Sequence, residues 1–273
     1  MQITTSSIVL FSPTGTSRKI ADAVADGCRC QPRIVDATYA EPVDTDFGAD
    51  EVVFIAVPVY GGKVAPTALQ RFDTIQGHNT PAVLIVVYGN RDFEGAMVEL
   101  DAFVRNRGFV TVAAGAFIGE HSYSTKAHPI AANRPDMADF TDARAWGRDI
   151  CAKLVDMTLP TAVDVSLLKA PNQSPASQLR FKEFILELQS QSNKPKPRIA
   201  IDWEKCNRCG KCFKLCPTQA IKSRTEPDID YDRCIKCCAC VKGCPCQARS
   251  FDTPYAPVLS ECFAQRKSPV TLL

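Results

Sequence analysis

The sequence is poor in the features that would tie it to a membrane, a nucleic acid or a nucleoside triphosphate. Its longest apolar run, Ala82 to Val87 with Tyr88, falls far short of the ~20 residues a spanning helix needs, so no membrane insertion is expected. Charge of one sign is lacking too. The 32 Lys and Arg stand against 30 Asp and Glu, too even a balance for an obligatory nucleic-acid or membrane-surface partner. The opening residues Met1-Gln2-Ile3-Thr4-Thr5 carry no basic export segment, and a cytoplasmic protein is the expectation. There is no G-K-[ST], no G-x-G-x-x-G and no G-x-S-x-G, which disfavours a triphosphatase loop, a dinucleotide fingerprint and a hydrolase elbow.

Cysteine is scarce over most of the chain and dense at its end. Only Cys28, Cys30 and Cys151 fall in the first 200 residues, whereas 11 of the 14 lie in the last 73. A disulfide scaffold would be short and exported, so thiols gathered in this way read as metal ligands.

Two regions are separated by a Pro-, Ser- and Gln-rich stretch, dividing the chain into 1-158, 159-197 and 198-273. In the first, short apolar runs at Ser7 to Phe11, Arg33 to Asp36, Glu51 to Val57, Ala82 to Tyr88 and Phe109 to Ile118 read as five strands. Helical patterns at Arg18 to Asp26, Gly95 to Arg107 and Asp136 to Met157 lie between and after them. Buried strands alternating with crossover helices predict an α/β fold, a doubly wound five-stranded parallel sheet. In the middle stretch Ser177 is placed to cap a helix to Gln189 that docks through Phe181, Phe184, Ile185 and Leu188.

The last region repeats itself at an offset of 28 residues. Ile201-Asp202-Trp203-Glu204-Lys205-Cys206 aligns with Ile229-Asp230-Tyr231-Asp232-Arg233-Cys234. Each half carries C-x2-C-x2-C-x3-C-P: Cys206, Cys209, Cys212 and Cys216 before Pro217, then Cys234, Cys237, Cys240 and Cys244 before Pro245. Three thiolates at two-residue gaps wrap three corners of a [4Fe-4S] cubane, and the fourth points to the other cluster. One cluster should therefore use Cys206, Cys209, Cys212 and Cys244, and the other Cys234, Cys237, Cys240 and Cys216. Structural zinc, the other four-thiolate metal, usually uses two knuckles with a longer loop between them. Cys238 and Cys246 depart from the bare motif, and spacing favours Cys237 over Cys238 as ligand. Residues 198 to 253 resemble the bacterial two-cluster ferredoxins, small α+β domains that carry electrons singly. Unlike the markedly acidic ferredoxins, this stretch holds 11 Lys and Arg against seven Asp and Glu, a surplus the anionic clusters would offset.

After the first strand comes Ser12-Pro13-Thr14-Gly15-Thr16-Ser17, then a helix. Helix-start N-H groups, the hydroxyls of Ser12, Thr14, Thr16 and Ser17, and the freedom of Gly15 suit a monophosphate. The other reading is a Ser/Thr-rich helix cap. Two more loops follow central strands, where open parallel sheets bind ligands: Pro58-Val59-Tyr60-Gly61-Gly62-Lys63 and Tyr88-Gly89-Asn90-Arg91-Asp92. Each joins an aromatic ring to a glycine peptide, which suits an isoalloxazine that must be stacked on and met by a reorientable backbone. The first ~158 residues resemble flavodoxins, and the whole chain resembles the flavodoxin/ferredoxin fusion proteins of anaerobic microbes. That resemblance implies FMN, with Ser12 to Ser17 at the phosphate and the Tyr60 and Tyr88 loops beside the ring. Lys63 and Arg91 would favour the anionic reduced ring and raise its potential.

The expected function is electron transfer between two [4Fe-4S] clusters and FMN, coupling one- and two-electron carriers. Its partners would be redox proteins, a ferredoxin-like donor or a flavin-domain acceptor, and a homodimer is compatible with the sequence. One alternative is a flavin-dependent reductase in which His121, Ser122 or Tyr123 handles protons. The other is an iron-sulfur redox sensor or binding module.

Overall fold

The computed structural model describes residues 3–40, 45–171, 173–192, 197–225 and 228–273. Pro195 of the expected interdomain stretch lies outside them. By internal contacts the chain forms two units, and their division is not sequential. Unit 1 holds Met1–Gly119, Asn133–Pro171 and Lys267–Leu273; unit 2 holds Glu120–Ala132 and Asn172–Arg266. Residues 120–132 and 267–273 thus fall in the other unit from the one sequence order suggests.

In unit 1, strands β1 (Thr5–Leu10), β2 (Arg33–Asp36), β3 (Glu51–Tyr60), β4 (Thr80–Tyr88) and β5 (Phe109–Ile118) are parallel in the order β5-β4-β3-β1-β2. That 2-1-3-4-5 order is the flavodoxin-like doubly wound arrangement. Every residue of β4 is buried, because a central strand covered on both faces has no solvent side and so shows no polar alternation. Two additions were not legible in the sequence. A two-residue strand, Lys63–Val64, folds back antiparallel on β3, and a late strand, Val270–Leu272, pairs antiparallel with the outer edge of β5. The latter covers an edge that would otherwise present unpaired amides and carbonyls.

Helices α1 (Thr16–Gly27), α2 (Pro66–Arg71), α3 (Ala96–Arg105) and α4 (Met137–Asp156) belong to the same unit. Helix α4 opens with a full capping box, Asp136 accepting from the amides of Ala138 and Asp139 while Asp139 reaches back. It crosses α1 closely enough that a Cβ on Gly27 would strike the Arg144 carbonyl and one on Gly147 the Val24 carbonyl. A methyl at either glycine would push the helices apart, an overpacking that costs about 1–3 kcal/mol.

Unit 2 begins its regular structure with α5 (Pro175–Ser190). Its N-cap is Ser174, three residues before the expected Ser177, because Pro175 takes the first helical position, where a missing N-H costs nothing. Phe181 and Phe184 do dock: their rings lie 5.5 Å from Phe263 and 5.4 Å from Tyr255. These partners flank and open α8 (Tyr255–Cys262), which follows the one-turn helices α6 (Lys211–Lys214) and α7 (Ala239–Lys242). Strands β6 (Ile199–Ile201) and β7 (Arg249–Phe251) pair antiparallel. Their Ile201 to Arg249 pairing recurs, shifted by the repeat, as a bridge between Ile229 and Ile221, so the duplication is structural as well as sequential.

Candidate functional site

The eight motif cysteines gather into two sets in unit 2, and the sets are crossed. One hollow is lined by Cys206, Cys209 and Cys212 from the first motif together with Cys244 from the second. The other is lined by Cys234, Cys237 and Cys240 with Cys216. The cause is local. In each half the backbone turns left-handed at equivalent points, Arg208 and Lys236 with φ 55° and 54°, and Gln219 and Gln247 with φ 52° and 51°. The turns at Arg208 and Lys236 fall between the first and second thiols of each motif, a one-turn helix carries the third and leads to the fourth, and the turns at Gln219 and Gln247 follow the fourth. The fourth sulfurs are met by amides four residues on: Ala220 N-H to Cys216 Sγ at 3.1 Å, Ala248 N-H to Cys244 Sγ at 3.3 Å. Amide donors to sulfur are what an anionic cluster requires of its surroundings.

The two hollows differ in setting. Cys209 is exposed, whereas Cys237 and Cys240 are buried. Burial pushes both of these thiols up to about 12. Arg249, itself 5% exposed, lines the first hollow, and its charge opposes that rise at Cys240. Sequence reasoning passed over Arg249, although the repeat held the signal: its counterpart 28 residues earlier is the apolar Ile221. Cys238 lines the second hollow beside Cys237, but its thiol donates to the Lys236 carbonyl at 3.5 Å.

Unit 1 brings the three predicted loops to the carboxyl end of its sheet. Gly15, with φ 76°, is the N-cap of α1, and a Cβ there would meet nothing within 4 Å. The backbone at Gly15 is thus uncrowded beside the helix start, where amides lack intrahelical partners. Ser12 is the staple of this loop: its Oγ accepts from Arg18 N-H at 3.1 Å and its own amide donates to Thr38 Oγ1 at 2.8 Å. The hydroxyls of Thr14 and Thr16 sit 3.1 Å apart at the opening. Ser12 and Ser17 are both buried, at 8% and 2% exposed.

After β3 the chain does not form the open loop expected from Pro58. Pro58, Val59 and Tyr60 continue the strand, and Gly61 and Gly62, with φ 60° and 81°, close a two-residue hairpin. The space around Gly61 is open, whereas a Cβ on Gly62 would strike the Glu94 side chain from the loop after β4. The second and third loops are therefore neighbours. Glu94 also pairs with Arg91, which offsets the charge expected from that arginine.

Tyr88 corrects a prediction. Its ring is 2% exposed and packs edge-on to Phe93 at 5.5 Å, so it belongs to the core and has no free face to stack on a ligand. Its Oη is buried without a hydrogen-bond partner among the described residues. Gly89 accepts from the Arg91 amide at 2.9 Å, and Asn90 holds left-handed backbone with φ 66°. Tyr60 is half-buried where the strand meets the hairpin.

His121, Ser122 and Tyr123, each a candidate proton handler, lie in unit 2. His121 Nδ1 accepts the Tyr123 amide at 3.0 Å and its ring lies edge-on to Tyr123 at 4.8 Å, while Tyr123 stacks on Phe251 at 5.1 Å within unit 2.

Residues 199–222 match the 4Fe-4S binding domain family. No curated protein matches the chain. Among solved structures it is similar to a flavodoxin from the domain Archaea, at 14% identity over 56% of this chain and 99% of that one, with a TM-score of 0.34. A flavodoxin of Streptococcus pneumoniae is similar at 15% identity over 55% and 99%, with a TM-score of 0.37. The membrane-bound sulfane sulfur reductase, an archaeal respiratory complex, is similar at 29% identity over 33% and 57%, with a TM-score of 0.20. Among the described residues no helix is long and apolar enough to cross a membrane.

Proposed function

We propose that this chain is an electron-transfer protein holding two [4Fe-4S] clusters in unit 2 and one FMN in unit 1, and that it couples single-electron to paired-electron carriers. The observation that carries the reading is the crossed lining of the two hollows, each by four motif thiols and each with one thiol from the opposite half. Zinc knuckles have no use for that exchange, whereas paired cubanes require it.

When bound, the clusters supply one-electron steps and the flavin one- or two-electron steps. The chain's own part is placement. Amides of Ala220 and Ala248 meet the exchanged sulfurs, and the buried Arg249 offsets negative charge. In unit 1 the start of α1 receives a phosphate, and the Gly61-Gly62 turn supplies a backbone able to rotate beside the ring. The units are joined by four covalent crossings, at 119/120, 132/133, 171/172 and 266/267. Such tethering raises the effective concentration of one redox group near the other without a strong steering field. The external partners are then redox proteins, at least one of them a single-electron carrier, in a reducing and oxygen-poor compartment.

Anaerobic purification followed by iron, sulfide and flavin assays tests this. About eight irons, about eight sulfides and one FMN per chain are expected from two cubanes and one flavin site. Dithionite should bleach both chromophores, and mixing with a reduced ferredoxin should do the same faster than NADPH. A colourless chain that resists reconstitution, or one that binds zinc stoichiometrically instead of iron, overturns the reading.

A further inference from the structure

Lys267 comes from the far end of the sequence and lies only 8% exposed in unit 1. Its Nζ donates to the carbonyl of Asn90 at 2.6 Å and to the carbonyl of Arg91 at 2.7 Å. Its backbone is gripped as well: Arg134 Nη1 donates to the Lys267 carbonyl at 2.9 Å, and Arg134 is itself buried and paired with Asp139 through an Nε to Oδ2 bond of 2.9 Å. Three residues later the chain enters Val270–Leu272 and locks onto β5. The side chain and the carbonyl of Lys267 are thus both held.

A desolvated ammonium is costly, and packing alone would be served as well by an apolar side chain of similar length. What the amine does that an apolar chain cannot is hold two consecutive carbonyls. A peptide is a rigid plane, so fixing each C=O fixes the N-H that points the other way. The loop after β4 is thereby set, with Arg91 N-H turned onto the Gly89 carbonyl and Asn90 left-handed. At Gly61, in the hairpin after β3, a Cβ would meet nothing within 4 Å among the described residues, so the space around that turn is open.

We propose that Lys267 is a positioning residue of the flavin site: it pins the 88–92 loop in one backbone arrangement and leaves the Gly61-Gly62 turn as the part that reorients. The inference rests on the flavin reading given above. Held on the carbonyls of Asn90 and Arg91, the amine places a positive charge on the 88–92 loop whenever it is protonated, and that charge raises the flavin potential.

The test uses the full chain, loaded anaerobically, with FMN affinity read by fluorescence quenching and the flavin potential by dye-coupled titration. Lys267→Met and Lys267→Gln are expected to weaken FMN binding about tenfold, the scale of one lost charge-assisted hydrogen bond, and to move the flavin potential negative, with iron content unchanged. Lys267→Arg should stay within about threefold of the parent. An unchanged affinity and potential in both neutral variants overturns the proposal. On the parent chain, the amide of Arg91, bonded to the Gly89 carbonyl, should exchange slowly before FMN is added. Protection that appears only on binding also overturns the proposal, even if the variants fail to fold. Failure of the parent chain itself to take up FMN would instead refute the flavin reading.

Discussion

Gly210 and Cys238 occupy equivalent points of the 28-residue repeat, and both hold left-handed backbone, with φ 73° and 59°. Each is the N-cap of a one-turn helix carrying the third ligand of its motif. A glycine takes that conformation without cost, whereas a side chain is strained there by about 1 kcal/mol. Cys238 is therefore set by the backbone of the repeat, and its thiol is turned to the Lys236 carbonyl.

Cys238→Gly is accordingly expected to keep about eight irons, its relief of strain offsetting the lost buried thiol to within about 1 kcal/mol. Cys237→Ser should lose one cluster. Because the sets are crossed, Cys216→Ser and Cys237→Ser should disturb the same cluster signal in electron paramagnetic resonance, and Cys244→Ser the other. Pairing of Cys216 with Cys206 in that assay would refute the crossed assignment.

Tyr88→Phe removes a buried hydroxyl that has no partner among the described residues. Deleting an unsatisfied polar atom is neutral or stabilising, by up to about 1–3 kcal/mol. Urea unfolding of the apo chain measures it. If the midpoint falls by more than a few tenths molar, the hydroxyl has a partner that the fold does not reveal.

Cys30 has its thiol held below the ordinary value, chiefly by a hydrogen bond from Cys28, with burial acting against it. Cys28, beneath it, is pushed far up by the same bond and by burial. Cys30 should therefore be the more alkylable of the two near neutral pH, as followed by peptide mass spectrometry. Cys28→Ala is expected to shift the pH midpoint of that reaction upward. No shift would mean that the two thiols do not interact in solution.

The Lys267 amine is brought down to about 8, first by burial and then by Arg91, with Asp92 opposing. In an unfolded chain a lysine titrates near 10.4. Between those values the unfolded chain binds more protons than the folded one, so this group makes stability rise with pH across that window and contributes no slope below it. The difference in unfolding free energy between the parent and Lys267→Met should change from pH 7.5 to pH 10, in favour of the parent at the higher pH. A pH-independent difference would show that the amine is not desolvated.

The sequence alone determined the parts of this protein that depend on near neighbours. The cysteine spacing and the repeat named both thiol sets, because both halves carry the same short spacing and exchange their fourth thiol. The run from Ser12 to Ser17 announced a helix start, and five buried runs announced the parallel sheet. Tertiary structure decided whatever joins residues distant in the chain. Tyr88 looks like an aromatic at a loop edge until Phe93 closes over it. The strand at Val270–Leu272 needs a free sheet edge to pair with, and only the folded sheet provides one. Lys267 acquires a role for the same reason: its carbonyl partners lie 177 and 176 residues away, and no periodicity or spacing reports a contact whose cost in chain entropy is recovered only once the sheet has formed.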